Sequence, residues 1–386
     1  MNIAVVGAGS VGAAITRLLC AEERVKSVHV IDRNGNALEN VAALVNHPKL
    51  VIHKVKIERE VSILGLIKGA DIIISALPFK QNLKLAEIAI KVGAHYIDLG
   101  GDDETYQSQV KLDSMAKAAK RWVIPNCGLA PGFSNILAMH GIESFDKVES
   151  VQIRAAGLPK NPVPPLNYQL SFSPQGLVNE YLSTSVILEN GQLKEVPALE
   201  GVEEVMLQSR PDLGILEAFY TAGAATTLAR HLVGKVQTLN FKTMRYKGHR
   251  DIIKSLFELG FNSPQIIDVR VNLSFRDLLV RQLSKYLPTG GDDFVAMKVR
   301  IKGTKEGVSV TRDYEMVQEA DKVRGMSAMM LSTAAPSVVM ALMIADGVLG
   351  SEGGVSAPEF VVPKQEFYDR IKKMGLRLHQ TESRLS

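Results

Sequence analysis

The chain has 386 residues and a net charge of +4, with 46% hydrophobic and 22% charged residues. One hydrophobic core rarely supports so long a chain, so we expect two domains. The basic residues are interspersed with acidic ones and form no basic stripe, so we expect no nucleic-acid partner.

The two cysteines, Cys20 and Cys127, form no CxxC pair. This excludes a disulfide framework and a cysteine zinc site, and no other metal-ligand spacing is present, so we expect no metal and a reducing, cytoplasmic setting. The apolar start of the chain lacks the basic segment of a signal peptide. The uncharged stretch 325–345 is long enough to span a bilayer, but its serines, threonine and proline predict a helix buried inside the protein, without a membrane partner.

The first 125 residues alternate between apolar runs and helical patterns. The runs predict strands at 3–6, 28–31, 51–55, 72–76, 96–99 and 122–125. The patterns between them predict helices at 11–20, 35–46, 60–68, 81–92 and 104–120. Continuous Val/Ile strands separated by helices indicate an α/β fold with a Rossmann-type, doubly wound parallel sheet.

After residue 138 the strands are longer and alternate polar with apolar residues, as at 236–243, 295–301 and 308–317. Alternation predicts a mixed or antiparallel sheet with one wet face, in a second α+β domain that binds the substrate. The proline-rich segment 158–168 should run extended, and the polar tail after Leu376 should fray. We expect three parts, listed by range: an NAD-binding domain at 1–126, a substrate and dimerisation domain at 127–325, and a helical segment at 326–386 that returns to the first domain.

A glycine-rich turn, GAGSVG, follows the first predicted strand and opens the first predicted helix. In this context Gly7 permits a tight turn, Gly9 lets the backbone approach a pyrophosphate, and Gly12 lets helix and strand pack closely. Ser10 and Val11 begin the helix, whose N-terminal amide groups favour an anion. The motif predicts a dinucleotide site.

Asp32 closes the second strand, where a carboxylate can bind both ribose hydroxyls of the adenosine half. It would repel a 2′-phosphate, so we predict NAD; the adjacent Arg33 leaves NADP as the less favoured cofactor. Ligands of such sheets bind at the carboxyl ends of the strands. The remaining cofactor candidates at these ends are Ala76, Leu77, Pro78, Asp98, Gly100, Gly128, Pro131 and Gly132.

The segment NCGLAPGFSNILA at 126–138 crosses from the first domain to the second. Gly128 and Gly132 would let the backbone pass close to the nicotinamide, and Pro131 suits the first turn of the following helix. Cys127 has no histidine nearby in the sequence to activate it, so we interpret it as a packing residue.

The segment FKTMRYKGHRD at 241–251 is the richest in candidates for substrate chemistry. It predicts a strand, a turn at Gly248 and a helix from His249. Lys242 and Arg245 lie on opposite faces of that strand by alternation. Arg245 could bind a carboxylate bidentately or be a solvated arginine, and His249 could be a general base or a helix-terminal residue.

Other candidates lie in apolar surroundings. Glu217 stands in the run ILEAFYTAGA, where an acid is either paired or functional. Tyr220 and Thr221 follow it as candidate substrate contacts. Tyr168, after the proline-rich segment, is a catalytic candidate, although packing is the simpler role for both tyrosines.

Together these motifs resemble the saccharopine dehydrogenase-like family. Besides the segments above, SALP, DLGG and AGLPKNPVPPLNYQLSFSPQGLVNEY carry the resemblance, which covers the chain to about residue 370. Within the family, the bacterial and archaeal lysine 6-dehydrogenases are the most similar. The resemblance implies NAD-dependent oxidative deamination of the ε-amino group of L-lysine to allysine, with release of ammonia. It also implies that Arg245 holds the α-carboxylate, while Lys242, His249, Glu217 and Tyr168 supply the base and the ammonium contacts.

Two alternatives stay open. A glutamate-forming saccharopine dehydrogenase, or a related amine dehydrogenase, usually uses NADP and carries an acid in a GLDPG-like segment, where this chain has Ala130. A non-enzymatic NAD-sensing regulator would have lost the polar residues of the second domain. The family resemblance and architecture suggest a homodimer or higher homo-oligomer.

Overall fold

The computed structural model describes residues 1–56, 60–270 and 272–385. The chain forms two compact units. Unit 1 comprises Met1–Glu143, Lys322–Met326 and Met330–Leu376. Unit 2 comprises Ser144–Asp321, Ser327–Met329 and Arg377–Ser386.

Unit 1 begins with strands and helices in strict alternation. In chain order these are β1 Asn2–Val6, α1 Ser10–Ala21, β2 Ser27–Asp32, α2 Gly35–Val45, β3 Leu50–Lys54, α3 Glu60–Ile67, β4 Ile72–Ser75, α4 Asn82–Lys91, β5 His95–Asp98, α5 Asp103–Val110, α6 Asp113–Ala118, β6 Trp122–Ile124 and α7 Phe133–Ile142. A 3₁₀ turn, Phe79–Gln81, precedes α4.

Unit 2 holds the middle of the chain. Its elements are β7 Lys147–Pro159, α8 Pro174–Leu182, β8 Ser185–Glu189, β9 Gln192–Val196, β10 Glu203–Val205, β11 Leu216–Tyr220, α9 Thr226–His231, β12 Thr238–Arg245, α10 His249–Glu258, β13 Ile266–Asp268, β14 Leu273–Ser274, α11 Phe275–Tyr286, β15 Asp293–Lys305 and β16 Val308–Glu319. The chain then continues with α12 Ala328–Ala345, β17 Gly354–Val355, α13 Pro358–Val361, α14 Lys364–Lys373 and β18 His379–Leu385. Of these five, β18 lies in unit 2 and the others lie wholly or mainly in unit 1.

The sheet of unit 1 has seven strands in the order β17-β6-β5-β4-β1-β2-β3. All neighbours pair in parallel. The central strands are buried on both faces, which explains their unbroken Val/Ile character. The order reverses between β1 and β4, and this reversal defines the ligand edge of a doubly wound sheet. The predicted Rossmann-type fold is confirmed.

Two details of unit 1 differ from the sequence prediction. The helix predicted at 104–120 is two helices, α5 and α6, separated at Lys111 and Leu112. The sheet also gains β17, a two-residue strand that pairs with β6. So short a strand carries no periodicity that the sequence could show.

The main sheet of unit 2 has nine strands. Seven follow the order β10-β11-β12-β7-β15-β16-β18, while β8 pairs with β12 and β9. Among the described strands of this sheet only β12 and β7 pair in parallel, so the predicted second sheet of mixed type is confirmed. One end packs on α8, α10 and α11 through apolar residues such as Leu177, Ile253 and Leu279.

The prediction of one wet sheet face is wrong for the middle of this sheet. Seven of the eight residues of β12 are buried, and so are the polar side chains of Arg154 and Lys242. Acidic side chains such as Glu203 cover these cations, which would otherwise face water.

Three further predictions can be compared with the structure. The proline-rich segment is not extended throughout, because residues 164–167 form a turn. The tail does not fray as predicted, because β18 pairs with β16 over seven residue pairs. By length and composition α12 could cross a membrane, and 78% of it is buried within the protein, as expected for a core helix.

Candidate functional site

The glycine-rich turn joins β1 to α1 at the sheet's reversal point. Gly7 has φ +112°, and a Cβ there would lie 2.6 Å from the carbonyl oxygen of Ala76. A Cβ at Gly12 would lie 2.0 Å from the carbonyl oxygen of Gly7. Both glycines are therefore required by the protein's own packing.

Gly9 differs, because a Cβ there would meet nothing within 4 Å. Gly9 is also the N-cap of α1, and no side chain caps that helix terminus. Ser10 and Val11 follow it, and both are at least partly accessible. The turn thus leaves an open space in front of uncapped amide groups, as a bound pyrophosphate requires.

Asp32 ends β2 beside this turn. Its Oδ2 accepts a hydrogen bond from the Ala8 amide (2.7 Å), and its Oδ1 accepts one from the Asn34 amide (2.8 Å). These bonds fix the carboxylate at the end of the strand, where the ribose of a dinucleotide would lie. The neighbouring Arg33 is exposed.

The fourth strand continues into Ala76, Leu77 and Pro78. Ala76 donates its amide hydrogen to Val6 (2.8 Å), so this segment runs beside the glycine-rich turn. All three residues therefore lie at the ligand edge, as predicted from their position after β4.

Asp98 ends β5 but does not face solvent. Its buried carboxylate accepts hydrogen bonds from the amides of Gly100 (2.8 Å) and Asn126 (3.0 Å) and from the side chain of Gln109 (2.7 Å). Burial raises its pKa, and the hydrogen bonds oppose this. Asp98 therefore positions the loops after β5 and β6 and does not itself present a charge to a ligand.

The segment after β6 is held by close backbone contacts. A Cβ at Gly132, where φ is +122°, would lie 2.4 Å from the carbonyl oxygen of Gly128. The Ala130–Pro131 peptide is cis, and α7 begins at Phe133. The expectation that Pro131 belongs to the first helical turn is wrong, since Pro131 precedes Gly132, the N-cap.

Cys127 is fully buried, and its thiol lies 3.6 Å from the carbonyl oxygen of Pro336. Burial raises the pKa of the thiol well above its usual value, so the reactive thiolate is disfavoured. This agrees with the interpretation of Cys127 as a packing residue.

A chain of hydrogen bonds surrounds Arg245 in unit 2. The carbonyl of Leu166 can only accept, so Nδ1 of His249 donates to it (2.9 Å) and Nε2 is the acceptor. The hydroxyl of Tyr181 donates to that Nε2 (3.1 Å) and accepts from Nε of Arg245 (3.1 Å). Arg245 also lies over the ring of Tyr168 (4.9 Å).

This arrangement argues against a catalytic role for His249. The ring is 1% exposed, and burial, followed by the charge of Arg245, lowers its pKa to about 3. Both ring nitrogens are engaged. His249 therefore acts as a neutral support for Tyr181 and Arg245.

Each guanidinium nitrogen of Arg245 already has one partner within the protein. Nη1 donates to the carbonyl of Met244 (3.1 Å), and Nη2 lies 3.4 Å from Glu180. Glu180 is half-buried, and burial raises its pKa while Arg245 opposes the shift. These bonds use three of the five N–H donors of the guanidinium, and one donor on each Nη remains.

Glu217 stands directly opposite Arg245 in the β11–β12 register, so the two side chains leave the same sheet face. Its Oε2 is buried and has no hydrogen-bond partner among the described residues. On the same face, the hydroxyls of Thr221 and Thr243 are 2.7 Å apart. Glu217 is therefore an acid of this face with an oxygen that the described residues leave unpaired.

The structure separates Lys242 and Tyr220 from this group. Nζ of Lys242 donates to Glu203 (2.8 Å) and lies 4.9 Å from the centre of the Tyr220 ring. Strand alternation places both on the face opposite Arg245. The candidates inferred from sequence thus fall into two clusters on the two sides of one sheet.

Two partners of Arg245 were missed by sequence reasoning: Glu180 and Tyr181. Glu180 and Tyr181 close the helix α8, in the NEY of the quoted SPQGLVNEY segment. An acid and a tyrosine at the end of an apolar helix were the available signal. In the described parts of the chain, no group of three or more His, Cys, Asp or Glu residues could hold a metal ion.

The fold and the glycine-rich edge define a Rossmann-type dinucleotide-binding protein with a second, α+β domain. Residues 3–124 match the family model "Saccharopine dehydrogenase NADP binding domain", and residues 128–376 match "Saccharopine dehydrogenase C-terminal domain". The chain belongs to the saccharopine dehydrogenase family.

Individual relatives are distant. The mitochondrial alpha-aminoadipic semialdehyde synthase of Bos taurus is 25% identical over 269 residues, which are 67% of this chain and 28% of that protein. Carboxyaminopropylagmatine dehydrogenase of a Synechocystis strain is 19% identical, covering 98% of this chain and 97% of that protein. Apo saccharopine dehydrogenase (L-Glu forming) from Saccharomyces cerevisiae has the same fold, with a TM-score of 0.79, 16% identity and 99% coverage of both chains.

Proposed function

We propose that the protein catalyses the NAD-dependent oxidative deamination of the ε-amino group of L-lysine. The products are allysine, which cyclises with loss of water to piperideine-6-carboxylate, together with ammonia and NADH. The observation that supports this reaction best is the buried, unpartnered Oε2 of Glu217 on the Arg245 face.

An unpartnered buried carboxylate oxygen is costly unless a ligand satisfies it. A primary ammonium group is a suitable ligand because it has three donors and a positive charge. The nearby guanidinium of Arg245 already has internal partners and leaves Glu217 without an ion pair. This pattern favours a substrate whose reacting end is a cationic amine.

The chemistry requires a base at that position. An ε-ammonium has an ordinary pKa of about 10.4 and must lose a proton before its carbon can release hydride. Burial disfavours the charged amine and eases this step, and in this proposal Glu217 holds the ammonium and receives its proton. Bound NAD would accept the hydride. Water then adds to the iminium carbon of the substrate and ammonia leaves, with Glu217 again managing the proton.

We propose NAD rather than NADP as the cofactor. Asp32 presents a carboxylate held by two amides at the ribose position, and a 2′-phosphate there would meet like charge. We expect Asp32→Ser to weaken NAD binding and to narrow the preference for NAD over NADP by roughly tenfold. Comparing the dissociation constants of both cofactors for the two proteins measures this, and unchanged preference would contradict the role of Asp32.

Glutamate-forming saccharopine dehydrogenation is the second candidate, because the family models and the yeast fold relative carry that name. Saccharopine adds carboxylates that need cationic partners. On the Arg245 face, the guanidinium group of Arg245 already contacts Glu180 of the same protein. The described group without a partner there is an acid, Glu217. These features favour lysine.

A substrate panel separates the candidates. Purified protein is incubated with NAD or NADP and with lysine, ornithine, saccharopine or a diamine, and NADH formation is followed by absorbance. Lysine-dependent NADH with release of ammonia supports the proposal, whereas glutamate release from saccharopine supports the second candidate. NAD binding without turnover of any amine would instead indicate the regulator.

A further inference from the structure

A polar cavity of about 310 Å³ opens within unit 2, away from the Arg245 face. Its lining includes Gln152, Arg154, Glu203, Gln208, Lys298 and Arg300, and we call it the sheet pocket. Its floor is formed by β7 and β15, where Lys298 stands opposite Arg154 and Arg300 stands opposite Gln152.

The sheet face that carries this floor concentrates positive charge. Lys242, Arg154 and Lys298 stand side by side on three adjacent strands, since β12 pairs Lys242 with Arg154 and β15 pairs Lys298 with Arg154. Like charges directly opposite each other on neighbouring strands destabilise a sheet. Such a row is therefore retained only if something compensates it.

The protein's own acids compensate the row incompletely. Glu203 accepts from both Arg154 and Lys242, Glu315 pairs with Lys298 (2.7 Å), and Asp313 binds Arg300 through two hydrogen bonds (2.7 and 2.6 Å). Arg154, Lys298 and Arg300 of the lining and the neighbouring Lys242 thus face three carboxylates, which leaves one positive charge. Glu204 also lines the pocket, but it pairs with Lys247 (3.3 Å) outside the lining, so this pair does not change the balance.

Several donors in the sheet pocket have no partner among the described residues. Arg154 is 4% exposed and bonds through Nε and Nη1 only. Arg300 bonds through Nε and Nη2 only, and neither the Gln152 nor the Gln208 carboxamide is engaged. Guanidinium and amide donors around one excess positive charge suit an oxyanion.

We propose that the sheet pocket is a second ligand site, which binds the carboxylate or phosphate group of a small molecule. The volume suits a metabolite-sized ligand. The site lies on the sheet face opposite Arg245 and Glu217, so it does not depend on the proposed amine chemistry.

The test is calorimetric titration of the full-length protein with inorganic phosphate and, separately, with citrate, against chloride at equal ionic strength. Binding of either anion, weakened about tenfold or more by Arg300→Gln, supports the site, and the stronger of the two titrations distinguishes phosphate from carboxylate chemistry. Arg270→Gln is the matched control, because Arg270 is an exposed arginine paired with Asp268 outside the sheet pocket.

Gln152→Leu is a second variant that breaks no ion pair, and it should also weaken anion binding. It provides the test if Arg300→Gln fails to fold. Absence of binding by both anions overturns the proposal. So does equal binding by wild type, Arg300→Gln and Gln152→Leu. Sedimentation of the same samples gives the oligomeric state. A dimer that binds no anion and dissociates in Arg300→Gln would assign these charges to a subunit interface and overturn the proposal.

Discussion

Glu217 and Arg245 face each other across two strands without forming an ion pair. The arginine is turned toward Tyr181 and Glu180, which leaves the carboxylate for another cation. An acid held in this way is an energetic cost to the folded protein, and such costs are characteristic of sites that bind or react.

Glu217→Gln tests that interpretation. The amide keeps the size of the side chain but cannot hold an ammonium or take its proton, so we expect kcat for lysine to fall by about two to four orders of magnitude. The free energy of unfolding should stay the same or rise slightly, because a neutral amide replaces a carboxylate whose buried Oε2 has no partner. Steady-state kinetics and urea denaturation measure the two effects, and near-normal turnover would refute the role of Glu217.

His249 gives a pH prediction with a defined sign. Its pKa is lowered from 6.5 to about 3 in the folded protein, so between these values the unfolded chain binds a proton that the folded protein does not. Stability is therefore fully present above pH 6.5 and is lost as pH falls toward 3, by about 1.4 kcal/mol per pH unit.

His249→Gln should remove this contribution. We expect the free energy of unfolding of the variant to depend less steeply on pH between about pH 4 and about pH 6. The difference in slope should correspond to about one fewer proton bound on unfolding. His95, whose pKa is also lowered, to about 4, is unchanged in both proteins and serves as an internal reference. Equal slopes for both proteins would mean that His249 is protonated in the folded state.

At the scale of elements, the β1–α1 turn contains glycines of two kinds. Gly7 and Gly12 are required by contacts inside the protein, whereas Gly9 faces open space. Sequence alone treats the three as one motif. The structure assigns the first two to folding, and contact with the pyrophosphate remains the predicted role of Gly9.

Two alanine variants separate these roles. Gly9→Ala, at φ −69°, should leave the fold intact and weaken dinucleotide binding on the order of tenfold, the equivalent of about one phosphate hydrogen bond. Gly12→Ala should instead lower the free energy of unfolding by about 2 kcal/mol, because its Cβ would overlap the Gly7 carbonyl. Thermal denaturation with cofactor titration checks both, and equal instability of the two variants would contradict the distinction.

The elements that could be predicted are those with a local period. Strands β1 to β6 are continuous apolar runs, and their helices have amphipathic patterns, so the unit 1 fold followed from the sequence. The break at Lys111 and the two-residue β17 depend on tertiary contacts and left no such signal. In the sequence β18 resembles a polar tail, because it is stabilised mainly by its pairing with the distant strand β16.

The candidate site shows the same division between local and long-range information. The glycine motif and Asp32 lie in one local segment, and the structure places them together. The Arg245 group joins residues from Leu166 to His249, far apart in the chain, so composition could identify candidates but not their partners. Strand alternation already separated Lys242 from Arg245, and that local information was the more reliable guide.

At the scale of the whole molecule, each unit has its own hydrophobic core. A ligand stabilises the unit that binds it. We expect NAD to slow hydrogen exchange in peptides covering residues 5–15 and 98–101 of unit 1. An anion in the sheet pocket should instead protect peptides from β7 and β15 in unit 2. Mass spectrometry of the intact protein resolves both regions, and protection of the glycine-rich turn by the anion alone would argue against two separate sites.

The strand β18 has a consequence for the solution behaviour of the protein. It pairs with the outer edge of β16, a strand of 12 residues. Arg312 of β16 also donates a hydrogen bond to Glu382 of β18 (3.0 Å). A chain shortened to Leu376 would leave that long edge as a template for strands of other molecules. We expect the shortened chain to self-associate in light scattering while the cofactor edge of unit 1 stays intact. On this account, the last polar residues protect the protein from aggregation.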